Sequence, residues 1–156
     1  MTTGLIKKSS DSFTRPANTT AYTAGDLVAN STTAGSVTPL TFSVGRGGIK
    51  IVGAHITKTD ETDVTAADFS LHLFGSSPTV ANGDNGALSY DYSDKFADID
   101  FATMVAATDV AWTIATGQNF NWYSASGVVY GLIEADGTYG PASAEVFAAT
   151  LVFERT

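Results

Sequence analysis

The histidines are the side chains with which this sequence could most readily bind a metal. His55 and His72 each lie on a predicted strand, and a carboxylate from the stretch 60–68 could join them as a ligand. Neither histidine stands in a recognised ligand spacing, and each is out of phase with the apolar face of its strand. The sequence therefore favours two exposed strand histidines and predicts no metal site.

Two acidic stretches could hold calcium through oxygen ligands. Their members are Asp60, Glu61 and Asp63 in the first, and Asp91, Asp94, Asp98 and Asp100 in the second. Neither stretch has the alternating acidic positions, the glycine and the distal glutamate of a helix-loop-helix calcium site. We interpret both as solvated loops, and we expect no cofactor.

Nucleophilic and phosphate chemistry have equally little support. No serine stands in the G-x-S-x-G pattern of a nucleophile at a strand end, and the sequence contains no cysteine that could supply a thiolate. The glycine-rich GRGG at 45–48 lacks the Lys-Ser/Thr of a phosphate-binding loop. Paired carboxylates for glycoside hydrolysis depend on a spatial separation that a sequence does not fix. We expect no catalytic residue and no enzymatic activity.

Aromatic residues offer a surface on which sugar rings could stack. In the stretch FNWYS, alternation puts Phe120 and Trp122 on one face of a strand and Tyr123 on the other. A buried strand or a subunit interface needs the same arrangement. We interpret these rings and Trp112 as core or interface residues, with a host-glycan-binding module as an alternative.

The elements that must position these residues are predicted to be strands. Aromatic residues make up 11% of the chain and charged residues only 15%, and the residues that fill exposed helices are scarce. Period-two alternation marks TPLTFSVG at 38–45 and DFSLHLFGSS at 68–77, and four strand-like runs follow residue 108. About eight strands separated by turn signals predict an all-β sandwich or barrel.

Two places interrupt the simple alternation. The apolar phase of GIKIVGAHITKTD changes beside Gly53, which predicts a β-bulge. Between 90 and 107 the spacing of Phe96 and Ile99 fits a helix, and Ser93 or Asp94 can cap it, so we predict one short helical turn. The strand phases predict a core made of Leu40, Phe42, Val44, Phe69, Leu71, Leu73, Ile114, Phe147, Leu151 and Phe153.

The charge of the chain narrows its range of partners. Sixteen acidic and eight basic residues give a formal charge of −8, which disfavours sequence-independent binding to nucleic acid or to an anionic membrane. No apolar run reaches the length of a membrane span, and MTTGLIKKSS lacks the apolar core of a secretory signal. We expect a soluble protein whose partners are neither nucleic acid nor membrane.

Three stretches resemble a recurring pattern in small bacteriophage structural proteins encoded near the major capsid protein. They are TRPANTTAYTAGDLVANS at 14–31, SDKFADIDFATMV at 93–105 and YGPASAEVFAATLVFE at 139–154. They occur in the usual order and together cover roughly a third of the chain. The first stretch is the most specific of the three.

This resemblance implies a head decoration, or cement, protein. Such a protein is a jelly-roll-like β-sandwich that binds the outer surface of the expanded icosahedral head as a dimer or trimer, so its partners would be the major capsid protein and copies of itself. A ligand that binds only the expanded lattice stabilises that lattice by mass action, and an oligomer on a symmetry axis multiplies modest contacts. A tail or neck structural protein has the same architecture and is a second alternative.

The amino-terminal stretch raises the question of whether it folds with the domain. Residues 1–25 are too polar to build a core of their own, so we predict an extended arm ahead of a sandwich domain at 26–156. The arm could add a strand to an open sheet edge, and Arg15 could pair with a carboxylate of a partner. The alternative is a first strand that folds on its own sandwich. The predicted capsid contacts are Phe13, Arg15, Pro16, Asn18 and Tyr22.

Overall fold

The computed structural model describes residues 4–156, in which eleven strands and one 3-10 turn, Ala34–Ser36, are the regular elements. The strands are β1 (Ile6–Thr14), β2 (Asp26–Val28), β3 (Leu40–Ser43), β4 (Gly47–Lys58), β5 (Phe69–Phe74), β6 (Lys95–Asp100), β7 (Val105–Ala107), β8 (Val110–Ala115), β9 (Phe120–Ser124), β10 (Val128–Ala135) and β11 (Val146–Arg155). The predicted helical turn between 90 and 107 is wrong, because this stretch contains β6 and β7. On β6, buried Ala97 and Ile99 alternate with exposed Asp98 and Asp100.

The strands form two antiparallel sheets that pack face to face, which confirms the predicted all-β sandwich. The six-stranded sheet has the order β1-β11-β4-β8-β7, with β9 paired to the other half of β4. The five-stranded sheet has the order β2-β10-β5-β6, with β3 paired to the other half of β10. The eleven strands occupy eight positions when β2 and β3 are counted as one position and β7, β8 and β9 as another. The order of these positions is 1-8-3-6 in the six-stranded sheet and 2-7-4-5 in the five-stranded sheet. This order is the jelly-roll arrangement.

The main core lies between the two sheets. Nine of the ten predicted core residues are buried there, and the list is Leu40, Phe42, Val44, Phe69, Leu71, Leu73, Phe147, Leu151 and Phe153. The prediction for the tenth, Ile114, is wrong, because its side chain lies on the outer face of the sheet and is 50% exposed. The small residues on the opposite side of β8 face the core instead.

A second, smaller cluster covers part of the outer face of the five-stranded sheet. It lies beneath the loop 75–92 and consists of Leu27, Ala29, Phe74, Val80 and Leu132. All six residues of β5 are buried because that strand is covered on both faces. Among residues 4–156, no comparable cluster covers the outer face of the six-stranded sheet.

The amino-terminal stretch contributes an edge strand to the sandwich. β1 pairs with β11 over its whole length, from Ile6 opposite Glu154 to Thr14 opposite Val146. Of the two interpretations of this stretch, the pairing of β1 with β11 agrees with an amino-terminal strand that folds on its own sandwich. Residues 1–3 of the predicted arm lie outside the described residues.

The predicted β-bulge is present in β4. Gly53 lies opposite Val152 and Ile51 lies opposite Phe153, so Val52 is the extra residue. The bulge explains the phase change in the sequence, because one inserted residue moves the following side chains to the other face.

Candidate functional site

Arg15, a predicted partner contact, is bound within its own chain and is only 1% exposed. Its guanidinium donates to Asp84 Oδ2 at 3.0 Å, to the Tyr22 hydroxyl at 2.7 Å and to the carbonyl oxygens of Asn18 and Ala142 at 2.8 and 3.1 Å. A buried charge requires such partners, because an unpaired one is strongly destabilising. The carboxylate that pairs with Arg15 is thus in the same chain, which corrects the expected pairing with a partner.

Asp84 is the acceptor at the centre of this cluster. Besides Arg15, it accepts hydrogen bonds from the Tyr22 hydroxyl at 2.6 Å and from the backbone N–H of Ala29 at 2.9 Å. Burial, and then the neighbouring Asp84 carboxylate, raise the pKa of Tyr22 far above its ordinary value. We call Arg15, Tyr22 and Asp84 the Arg15–Asp84 cluster. It fixes residues 15–22 against the loop that contains Asp84.

The other three predicted contact residues keep part of their surface accessible. Phe13 is half-buried and stacks on Phe147 with ring centroids 5.9 Å apart. Pro16 and Asn18 are also half-buried, and Asn18 Oδ1 accepts a hydrogen bond from the backbone N–H of Thr20 at 3.2 Å. A partner could therefore touch Phe13, Pro16 and Asn18, whereas the buried Arg15 and Tyr22 offer no surface.

A second buried ionic cluster lies at the end of β4. Lys58 Nζ is 3.2 Å from Glu145 Oε1, and both side chains are fully buried. The Tyr139 hydroxyl donates to Glu145 Oε2 at 2.5 Å, and Lys58 Nζ lies 4.9 Å from the centre of the Tyr139 ring. Burial and the hydrogen bond to Glu145 raise the pKa of Tyr139. The Lys58–Glu145 cluster ties the segment before β11 to β4.

The outer face of the six-stranded sheet carries exposed apolar side chains. Val105 and Trp112 lie opposite each other on β7 and β8 and are 53% and 36% exposed. Ile114 follows on the same face of β8, opposite His55 of β4. Contiguous exposed apolar surface is typical of interaction sites. We call this surface, with the groove described next, the docking face.

The groove lies beside the bulge of β4 and has a volume of about 470 Å³. Gly53 lines the groove, and a Cβ atom at this position would lie 2.9 Å from the carbonyl oxygen of Ala115 on β8. Its walls include Lys8, His55, Ile114 and Val152. Burial, and secondarily the charge of Lys8, lower the pKa of His55 from its ordinary 6.5. The groove therefore presents a neutral imidazole at pH 7 and one ammonium group.

Charge is unequally divided between the two outer faces. On the strands of the six-stranded sheet, the outward charged side chains are Lys8, Lys50 and Glu154, and the last two form a partly exposed ion pair of 3.3 Å. The outer face of the five-stranded sheet carries Asp98, Asp100 and Glu134 on β6 and β10, and Asp136 follows β10. The docking face is thus poor in acidic residues in a chain whose formal charge is −8.

The acidic side chains of the five-stranded sheet are linked through two residues of β5. His72 Nε2 is 2.6 Å from Glu134 Oε2, and Nδ1 is 2.6 Å from Asp98 Oδ1. His72 is buried, so the prediction of an exposed histidine is wrong at this position. The Ser70 hydroxyl similarly lies 2.9 Å from Asp100 and 2.5 Å from Asp136.

The charges around Asp136 affect its titration. Burial, followed by the neighbouring charges of Glu134 and Asp100, raises the pKa of Asp136, although the hydrogen bond from Ser70 opposes this shift. The charges of Glu134 and Asp100 therefore disfavour ionisation of Asp136, and the Lys95 ammonium, 2.8 Å from Asp98 Oδ1, is a cation among the carboxylates of this face.

The loop prediction holds for the first acidic stretch, which lies between β4 and β5, and is wrong for part of the second. In the first, Asp60 accepts hydrogen bonds from the backbone N–H and the hydroxyl of Thr62. In the second, Asp98 and Asp100 belong to β6. Within residues 4–156, no three acidic or histidine side chains are placed as ligands of one metal ion.

The candidate sugar-binding aromatic residues do not form one surface. Trp112 and Tyr123 lie opposite Thr57 and Gly48, about 30 Å apart at roughly 3.3 Å per residue of β4. Trp122 points to the other side of β9 from Tyr123 and stacks on Phe96 with ring centroids 4.6 Å apart. A single sugar could stack on only one of these rings at a time.

Sequence reasoning missed the partners in both buried clusters and the outward position of Ile114. Asp84 lies in the turn-rich loop PTVANGDNGA, where an acidic residue usually faces solvent, and it is 69 positions from Arg15. Lys58 lies at the end of an apolar run. The feature of the sequence that could have indicated that its side chain is buried is its position on the same face of β4 as the buried apolar residues.

Comparisons with known proteins find weak structural similarities. No family model and no curated protein matches the chain. Among solved structures, the cyanophage Pam1 capsid asymmetric unit is 14% identical with a TM-score of 0.39, covering 98% of this chain and 86% of that one. The K1 cleaved adhesin domain of Lys-gingipain from Porphyromonas gingivalis W83 is 11% identical with a TM-score of 0.29, covering 96% and 99%. Both TM-scores are too low to establish a shared fold, so neither similarity supports an inference about this chain.

Within residues 4–156, no helix has the length and apolar character to cross a membrane.

Proposed function

We propose that this chain is a structural protein of a bacteriophage virion, which binds the outer surface of the expanded head as an oligomer and stabilises it. Its partners in this role are the major capsid protein and further copies of itself, and not nucleic acid or a membrane. The role requires no catalytic residue, metal or cofactor.

The observation that carries the proposal is the resemblance of residues 14–31 to phage structural proteins. In this chain the stretch supplies Arg15 and Tyr22 of the Arg15–Asp84 cluster, and the third resembling stretch supplies Tyr139 and Glu145 of the Lys58–Glu145 cluster. The resembling residues thus include those that fix the loops of the jelly roll. The resemblance supports a common architecture, and the function follows from it by analogy.

The surface of the molecule is compatible with binding to a larger assembly. The docking face leaves Val105, Trp112 and Ile114 exposed next to one another, and contiguous apolar surface is typical of interaction sites. An oligomer bound at a symmetry axis of a shell multiplies weak contacts of this kind into stable attachment.

The test is co-sedimentation of the purified protein with expanded, undecorated heads of the cognate phage. We expect saturation at a number of copies per shell fixed by the icosahedral lattice, and much weaker binding to unexpanded heads. Saturable binding to expanded heads that raises their disruption temperature would support the decoration role. Absence of binding to expanded heads would refute it and would favour a position in the tail or neck.

A further inference from the structure

We propose that the docking face is the surface by which this protein attaches to the shell, and that its occupant is a surface of the shell protein which presents an apolar side chain beside a carboxylate. This inference rests on the proposed function and deepens it by naming the contact chemistry. It names a contact surface other than Phe13, Arg15, Pro16, Asn18 and Tyr22, the contacts that the sequence suggested.

The shape of the docking face supports an apolar side chain as one half of the occupant. The groove beside Gly53 is about 470 Å³, which is large enough to receive a side chain, and Ile114 and Val152 form part of its wall. Trp112 and Val105 extend the apolar surface from the groove towards β7. Such central apolar contacts supply most of the free energy of a typical interface.

The charge of the docking face supports a carboxylate as the other half. Lys8 lies on the rim of the groove and forms no ion pair among residues 4–156. The neutral imidazole of His55 lies beside it and can exchange a hydrogen bond with an approaching polar group. A carboxylate placed here would gain an unused cation, whereas a second cation would be repelled.

The same charges argue against a second copy of this chain as the occupant. A two-fold axis through the docking face would bring the lysine-bearing surfaces of two copies together. The acidic outer face of the five-stranded sheet offers carboxylates, but a copy docked through that face would form a head-to-tail contact that need not close. The shell protein is therefore the occupant that we propose.

The first experiment measures binding of charge and apolar variants to expanded, undecorated heads. Lys8→Glu places an anion at the groove, and Lys7→Glu is its matched control on the same strand. Because like charges at an interface are repulsive, we expect Lys8→Glu to weaken binding by about tenfold or more. Lys7→Glu, whose backbone position faces the opposite side of β1, should stay close to wild type.

A second pair of variants tests the apolar part of the docking face. Ile114→Ser shortens an exposed side chain at the groove, and Tyr92→Ser does the same at a residue 74% exposed elsewhere. We expect weaker binding for Ile114→Ser alone, with unchanged thermal unfolding for both. Wild-type affinity of both Lys8→Glu and Ile114→Ser would overturn the inference while leaving the decoration role intact.

A third measurement separates failure of the inference from failure of the proposed function. Hydroxyl-radical oxidation of Trp112 is compared between the free protein and the purified virion, with Tyr92 as the reference residue. Protection of Trp112 in the virion, together with binding to heads, supports the inference. Protection without binding to heads would retain the docking face as an attachment surface but would overturn the shell protein as its occupant. Equal oxidation in both states, or absence of the protein from the virion, overturns the inference.

Discussion

Removal of the Asp84 carboxylate is expected to have a large effect on stability. Asp84→Ala takes away the acceptor that Arg15, the Tyr22 hydroxyl and the Ala29 N–H share, and it leaves a fully buried guanidinium without its counter-ion. Breaking a buried pair on one side costs about 3–5 kcal/mol. The free energy of unfolding of a domain is usually roughly 5–15 kcal/mol, so the variant should lose a large part of it.

The assay is reversible urea unfolding at pH 7, supported by thermal unfolding. For a chain of this size, each kcal/mol lowers the melting temperature by roughly 2–4 °C, so we expect a decrease of about 10 °C. Glu154→Ala is the matched control, because it removes one carboxylate from the partly exposed surface pair with Lys50. A surface pair contributes about 0–1 kcal/mol, so the control should unfold near wild type.

A double variant isolates the uncompensated charge as the cause. Adding Arg15→Met to Asp84→Ala removes the orphaned guanidinium, and the double variant should recover at least about 1 kcal/mol relative to Asp84→Ala. A double variant as unstable as Asp84→Ala, or a single variant within about 1 kcal/mol of wild type, would refute the argument that the buried charge decides the cost.

Three further predictions concern other parts of the sandwich. Lys58→Met leaves the buried Glu145 without its cation, so urea unfolding should show a loss of about 3–5 kcal/mol, and an unchanged midpoint would contradict the ion pair. Gly53→Ala forces a Cβ atom to 2.9 Å from a backbone oxygen of β8 and should cost about 1–3 kcal/mol; Gly35→Ala, which meets nothing within 4 Å, is the control. Asp136→Asn tests the raised pKa of Asp136. A raised folded-state pKa contributes stability below the ordinary value of 3.8 that is lost as the pH rises through the folded-state pKa. The Asn variant should therefore gain stability relative to wild type at pH 7 but not below pH 3.8, and an equal difference at both pH values would contradict this.

Local alternation was sufficient to predict the sandwich and most of its core. The stretch 40–44, which contains β3, was predicted correctly because Leu40, Phe42 and Val44 are its large apolar residues on one side, and polar residues occupy the other. The β-bulge could also be predicted, from the change in apolar alternation beside Gly53. Between 90 and 107 the same method failed, because the three-residue spacing of Phe96 and Ile99 fits a helix as well as a strand.

The long-range contacts could not be predicted from local pattern. Arg15 stands out as an isolated cation, but nothing near it identifies Asp84, 69 positions away, as its partner. The same holds for Lys58 and Glu145, which are brought together only by the pairing of β4 with β11. Burial of a charged residue depends on the whole fold, whereas the sequence shows only its type.

The misassignment of Ile114 has a physical reason that bears on function. On β8 the larger side chains, Trp112 and Ile114, face outward, and Ala111, Thr113 and Ala115 face the core. A rule that places the larger apolar side chains inside must fail on such a strand. Conflicts between local pattern and fold are expected where a surface serves another purpose, and this conflict falls on the docking face.

The distribution of charge adds a kinetic consequence to the proposed attachment. The chain carries a formal charge of −8, yet the docking face presents Lys8 and lacks unpaired acidic side chains on its strands. Because the acidic outer face of the five-stranded sheet is repelled by carboxylates, an acidic shell surface would orient the incoming protein with its docking face forward. Added salt screens the local attraction between Lys8 and a carboxylate, so the association rate of Lys8→Glu should be lower than that of wild type at low ionic strength, and the difference should shrink as salt is added. The dissociation rate, which depends on the apolar groove, should change little with salt. Stopped-flow mixing of both proteins with expanded heads at two salt concentrations separates the two rates, and an equal association rate of both proteins at low salt would contradict the assigned orientation.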